Sequence, residues 1–253
     1  MPFTSNLSVC EHHAIRSVGF APVGQVMGVC VRQLRTQPTN YGCVRGGTEI
    51  RDVTMVDRLH YAGFEDAADR MRQECQAIGG DGVVAVGLNM VRLGQGNVEI
   101  QAVGTAVRSI GAVRPRTPFT CDLSGQDFAK LMLAGWVPCG MVLGIAITLR
   151  HTDVFGRGQV VPPWQNAELE GCTDLVERAR MLARLRLRDG CVQRGGEGIV
   201  IRRMTTAIHK LECDSGLDRR AEVLMTGTAI TQFRHGDPPS PLPILRITGG
   251  TNG

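Results

Sequence analysis

The chain has 253 residues, 43% hydrophobic and 21% charged, the profile of a globular protein of one large domain or two ordinary ones. Its net charge of +4 comes almost entirely from arginine, Lys130 and Lys210 being the lysines, and falls short of the strongly basic balance of a dedicated nucleic-acid binder. No run of apolar residues is long enough for a membrane helix and no basic-then-apolar leader opens the chain, so neither a membrane span nor a secretory signal is expected.

Most of the chain is written twice. P-F-T-S-N-L-S at Pro2–Ser8 returns as P-F-T-C-D-L-S at Pro118–Ser124, and G-F-A-P-V-G-Q-V-M-G at Gly19–Gly28 returns as G-W-V-P-C-G-M-V-L-G at Gly135–Gly144. G-G-D-G-V-V at Gly79–Val84 returns as G-G-E-G-I-V at Gly195–Val200, all three pairs sharing an offset of 116. V-G-T-A-V at Val103–Val107 matches T-G-T-A-I at Thr226–Ile230 at an offset of 123, so the second copy carries seven extra residues before this motif. The duplication acts as an internal alignment. It divides the chain into copy one (1–109), a linker (110–117), copy two (118–235) and a Pro-rich tail (236–253). Each copy is expected to be large enough to bury a core.

Each copy opens with a capping-box spacing, Ser8 with Glu11 and Ser124 with Asp127, which predicts short helices over 9–17 and 125–134. Gly19 and Gly135 end them. Runs rich in Val, Ile and Gly over 22–34 and 138–149 read as strands. Gly24, Gly28, Gly140 and Gly144 recur within them, implying close packing against the strand. Long loops, 35–54 and 150–172, lead to helices over 55–78 and 173–194. Their shared positions Leu59/Leu175, Gly63/Ala179, Ala67/Ala183, Met71/Leu187 and Cys75/Cys191 form a narrow face for close packing on a sheet. Two strands close each copy: 82–93 with 97–108 through a tight Gly94–Asn97 turn, and 198–211 with 220–232 through a longer Glu212–Arg219 turn that absorbs the extra residues. The tail, with Pro238, Pro239, Pro241 and Pro243, reads as extended. Each unit is therefore α-β-α-β-β, in an α+β fold. Three strands leave open edges, so pairing between units is expected.

This order of motifs resembles the YbjQ-like family, whose label is heavy-metal binding. The match rests on the G-x-x-P-x-G-x-V-x-G run, the helix ending in G-G-D/E-G-V/I-V and the hairpin ending in G-T-A-V/I, each present twice. The resemblance implies two tandem dodecin-like units, with antiparallel sheets joined between units into a barrel or ring. It further implies a homo-oligomer, five two-copy chains supplying ten units or building a larger shell. Gly24, Gly28, Gly140, Gly144, Gly104, Thr105, Gly227 and Thr228 are its structural motif residues.

The family label directs attention to Cys10, His12 and His13, soft ligands suited to a heavy metal ion such as zinc, copper or nickel. The internal alignment counts against them: Cys10 aligns with Gln126, His12 with Phe128 and His13 with Ala129. Neighbouring helical residues also point about 100° apart. Nine scattered cysteines suggest reduced thiols and a cytoplasmic location. No catalytic signature is present, and Gly79–Gly82 has the helix-to-strand order opposite to a phosphate loop. The helix over 173–194 is arginine-rich, and its counterpart has an acidic middle. Arg180 and Arg184 are therefore candidate assembly residues, pairing by charge with a neighbouring helix. Trp164, beside Pro162 and Pro163, is a candidate contact for a partner or a neighbouring subunit, and the tail is another docking candidate. The expected function is a non-catalytic, self-assembling ring or shell protein. The alternative is a module holding a metal or small molecule between subunits, without nucleic acid or membrane partners.

Overall fold

The computed structural model describes residues 4–33, 49–94, 97–111, 114–153, 170–213 and 216–233. Copy one contains α1 (Val9–Ser17), β1 (Phe20–Gln33), β2 (Ile50–Asp52), α2 (Thr54–Ala77), β3 (Gly82–Gly94) and β4 (Asn97–Ser109). Copy two contains β5 (Phe119–Thr120), α3 (Gly125–Leu133), β6 (Trp136–Asp153), α4 (Glu170–Gln193), β7 (Gly198–Cys213) and β8 (Gly216–Gln232). The α-β-α-β-β order recurs in both copies. The short strands β2 and β5 are additions that the sequence pattern did not reveal.

Two four-stranded sheets result, with strand orders β1-β4-β3-β5 and β2-β6-β8-β7. The long strands are antiparallel within each sheet, and the whole is a curled half barrel of α+β class. Each sheet has one edge strand taken from the other copy. β5 of copy two adds in parallel to β3, and β2 of copy one adds antiparallel to β6.

The long helices lie on their own sheets through the faces expected from their spacing. Ala67, Met71 and Cys75 of α2 are fully buried with Val26, Val83 and Ala102. Leu175, Ala179, Ala183 and Leu187 of α4 are buried with Val142, Ala146 and Met225. Small residues bring helix and strand together: a Cβ on Gly28 would stand 1.9 Å from the Ala67 carbonyl oxygen, and one on Gly144 2.2 Å from that of Ala183. Gly24 and Gly140 have a different role from the one expected. Both sit at register shifts, after Pro22 and Pro138. A Cβ on Gly24 would make only an ordinary contact, 3.4 Å from Ile78. Gly104 and Gly227 pack across the hairpins, where a Cβ would meet Val83 at 2.5 Å and the Val200 carbonyl at 2.6 Å.

The extra residues of copy two do not form the expected long turn. β7 has 16 residues against 13 in β3, and β8 has 17 against 13 in β4. The differences, 3 and 4, account for all seven. Pairing continues through Leu211↔Asp218 to Cys213↔Gly216, and β6 extends to Asp153 alongside. The buried pair His151–Asp218, with Nδ1 2.6 Å from Oδ1, ties the lengthened strands together. No helix among the described residues is long and apolar enough to cross a membrane.

Replacing Gly28 with Val should destabilise the fold by about 3 kcal/mol, because backbone rather than a flexible side chain blocks the added carbons. Gly24→Ala should change stability by less than about 1 kcal/mol. Urea unfolding of the two variants checks the distinction, and equal losses would contradict it.

Candidate functional site

The feature that organises the molecule is the junction between the copies. Residues 119–123 run along the outer edge of β3. The Phe119 amide donates to the Asp81 carbonyl (3.2 Å) and the Cys121 amide to the Val83 carbonyl (2.8 Å). In return the Ala85 and Val86 amides donate to the carbonyls of Leu123 (2.9 Å) and Cys121 (3.0 Å). Ala85 holds a left-handed φ of 53°, which lets two successive amides of β3 face the incoming segment. Cys121 and Leu123 are buried there with Val84, Val107, Ile15 and Phe128. Phe119 and Phe128 stack at 5.8 Å between centroids, and Phe20 meets both edge-on at 6.1 and 5.3 Å. Phe20 of copy one thus meets Phe119 and Phe128 of copy two where the copies join.

The same junction closes the β6 edge. β2 pairs with Thr148–Arg150, and the Val53 amide reaches the Ile147 carbonyl at 2.9 Å. The Tyr61 hydroxyl of α2 donates to the Leu143 carbonyl (3.1 Å) and accepts from the Ile145 amide (2.8 Å). Arg178 pairs with Asp52 and Arg194 with Glu65, each at 3.0 Å. Between α2 and α4, Tyr61, Glu65 and Arg194 line a cleft of about 320 Å³ together with Phe64, Met71, Met141 and Leu143.

A hydroxyl clamp fastens each opening segment to its own copy. Thr228 is fully buried; its hydroxyl donates to Asp122 Oδ1 (2.6 Å) and accepts from the Asp122 amide (3.1 Å). In copy one Thr105 binds Asn6 and lies 3.3 Å from the Ser5 hydroxyl. The retained Thr105 and Thr228 are thus structural fasteners. Asp122 is buried, and its Oδ2 has no hydrogen-bond partner among the described residues. Burial pushes this carboxyl upward from its ordinary value of 3.8, against the Thr228 and Thr226 hydroxyls and Arg202, which favour the ionised form. Glu11 completes the capping box at Ser8 and also accepts from the Gly125 amide at 3.1 Å, so one carboxylate caps both α1 and α3. Its pKa is lowered chiefly by the Ser8 amide bond.

The candidate metal ligands lie on α1. Cys10 and His13 are exposed, and His12 is half-buried. The described residues contain no group of three or more His, Cys, Asp or Glu placed to hold a metal ion. Cys10, His12 and His13 form no such group among the described residues. Arg180 is half-buried and Arg184 exposed on the outer side of α4. The cross-copy ion pairs use Arg178 and Arg194 instead. Trp164 and the tail lie outside the described residues. Sequence reasoning missed Phe119, Asp122 and Tyr61. The repeat of P-F-T-x-N/D-L-S was the available signal for the first two.

A family model, YbjQ_1, described as "Putative heavy-metal-binding", matches residues 47–110, which hold β2, α2, β3 and β4. The chain is also similar to the Encapsulin nanocompartment protein Rv1762c of Mycobacterium tuberculosis. The two are 32% identical over 215 residues, covering 78% of this chain and 76% of the relative.

Because the Asp122 carboxyl is raised in the folded state, its favourable contribution is present below about 3.8 and is lost as pH rises through the raised value. Asp122→Asn, which copies Asn6, should therefore stabilise the protein at pH 7 by about 1 kcal/mol. The gain should vanish once the pH falls below 3.8, the ordinary value of the carboxyl. Paired urea titrations at the two pH values test this; a gain independent of pH would contradict it.

Proposed function

Because this chain belongs to the YbjQ-like family and its two ends carry copies of the β3 and β6 edges that receive exchanged segments in its middle, we propose that it is a non-catalytic protein that self-assembles head to tail into a closed ring or shell. The carrying observation is a contrast in burial. In the middle, Val83, Val84 and Val86 of β3 are at most 5% exposed, and the β6 residues Ile147 and Ile145 are 2% and 6% exposed. At the ends, Ile201, Met204 and Ile208 of β7 are 46–52% exposed, and Met27 and Val31 of β1 are 51% and 58% exposed. β7 is the copy of β3 and β1 the copy of β6, so docking the β7 end of one chain on the β1 end of another would bring together copies of the two edges that flank the junction already present.

The long helices support the same arrangement. Tyr61, Phe64 and Ala68 of α2 line the cleft toward copy two. Their counterparts at the offset of 116 are Glu177, Arg180 and Arg184. Arg180 and Arg184 therefore occupy the face of α4 that would meet the next chain, beside the exposed Met181 and Leu185. The interface is heterologous, with two different surfaces in contact, and closes into a ring when its rotation allows. The family resemblance supports a ring of tandem dodecin-like units, five chains making ten. The nanocompartment named in the relative supports a shell built from such rings. Free Cys10, Cys30, Cys75, Cys121, Cys139, Cys172 and Cys191 suit a reducing cytoplasm.

Mass photometry and light scattering should find multiples of the chain mass. Met204→Asp should weaken assembly at least about tenfold, the equivalent of about 1.4 kcal/mol per junction. Arg184→Glu should weaken it by a similar factor, more at low than at high salt. A chain that stays single at micromolar concentration would refute the proposal.

A further inference from the structure

The two long helices are copies in structure as well as in sequence. α4 (Glu170–Gln193) repeats α2 (Thr54–Ala77) at the offset of 116, without a shift at either end. Each lies on its own strand in the same way, a Cβ on Gly28 or Gly144 being blocked by the carbonyl of Ala67 or Ala183. Each is followed by a left-handed glycine, Gly79 at φ 73° and Gly195 at φ 70°. The faces of the two helices can therefore be compared position by position.

Inside the chain, one face of α2 meets the C-terminal half of α4. Glu65 pairs with Arg194 at 3.0 Å, and Ala68 and Gly190 line the cleft between the helices. At the offset of 116, Glu65 corresponds to Met181 and Arg194 to Ile78. Both members of the ion pair are thus replaced by apolar residues, and these are 44% and 37% exposed. Neither belongs to a core cluster of the chain. The two small residues change together as well, Ala68 corresponding to Arg184 and Gly190 to Glu74, which have opposite charges. The Glu74 carboxylate accepts from the Met27 amide at 2.7 Å, which holds it at the β1 side of α2. Met27 is itself the copy of Leu143, which packs against the α2 core in the middle of the chain. One altered position says nothing of a partner. Two matched alterations, ion pair to apolar pair and small pair to opposite charges, keep two faces complementary.

We propose that between successive chains the outward face of α4 docks on the β1 side of α2, with Met181 packing on Ile78 and Arg184 pairing with Glu74. The inference rests on head-to-tail assembly and names the contact that joins one chain to the next. It uses helix faces and adds no strand to an edge. The apolar pair suits a junction between untethered chains, and the charge pair supplies register and direction.

The test rebuilds the inner ion pair at the outer site of the full chain. Met181→Glu and Ile78→Arg each set a charge against an apolar side chain. Each should raise the concentration needed for assembly, read by mass photometry, at least about tenfold. The double variant, a copy of Glu65–Arg194, should assemble better than either single variant and within about threefold of the wild type. Its assembly should also be more sensitive to salt than that of the wild type. Both positions are partly exposed, so the urea midpoints of all three variants should match the wild type and keep folding apart from assembly. If the wild type assembles and the single variants assemble equally well, or the double variant is no better than the singles, these helix faces do not meet, while head-to-tail assembly stands. If the wild type itself remains a single chain, both proposals fall together.

Discussion

The structure depends on one exchange: each copy lends the other an edge strand. A three-stranded sheet has unpaired amides and carbonyls along both borders, and those groups must find partners if they are to be covered. β5 and the residues after it occupy the β3 border, while β2 and Tyr61 occupy the β6 border. Everything between the copies follows from these contacts. α1 and α3 are drawn together beneath the aromatic trio, Glu11 caps both, and α2 extends past its own sheet to bury Ile145. Pulling the copies apart would expose the Phe119–Phe128 cluster and free both borders at once.

Much of this was legible in the residues, because helix faces and caps are local and periodic. The four-residue spacing of Ala67, Met71 and Cys75 identified the buried side of α2, and Ser8 with Glu11 identified the capping box. The exchanged strands were not legible. β2 has three residues and β5 two, too few to show an alternating pattern, and their partners are distant in sequence, Ile50 pairing with Arg150 and Phe119 with Gly82. The turn expected over Glu212–Arg219 failed for a related reason. Its charged residues read as loop, yet Asp218 is buried against His151, and Arg219 and Arg220 pair with Lys210 and His209 across the hairpin. The loop tryptophan drew attention because aromatics are rare, whereas the phenylalanines that matter were divided between helix, strand and linker segments and met only in the fold.

The differences between the copies acquire a physical meaning from the way their junctions form. The junction inside the chain joins two tethered partners, so it enjoys a high effective concentration and tolerates unfavourable terms. It accommodates a buried Asp122 with one unsatisfied oxygen and a rim of charge pairs, Glu65–Arg194 and Asp52–Arg178. A junction between separate chains must also overcome lost translational freedom, and so needs more apolar area per contact. The free ends suit the proposed assembly in that sense. Copy one places the neutral Asn6 where copy two has Asp122. Met181 and Leu185 stand on α4 where α2 carries Glu65 and Asp69, and Trp136 stands where copy one has the smaller Phe20. Unequal copies also remove the choice of order. An end that fits only the opposite kind of end can join in one direction, and that directional fit is the condition for a heterologous chain of subunits to close.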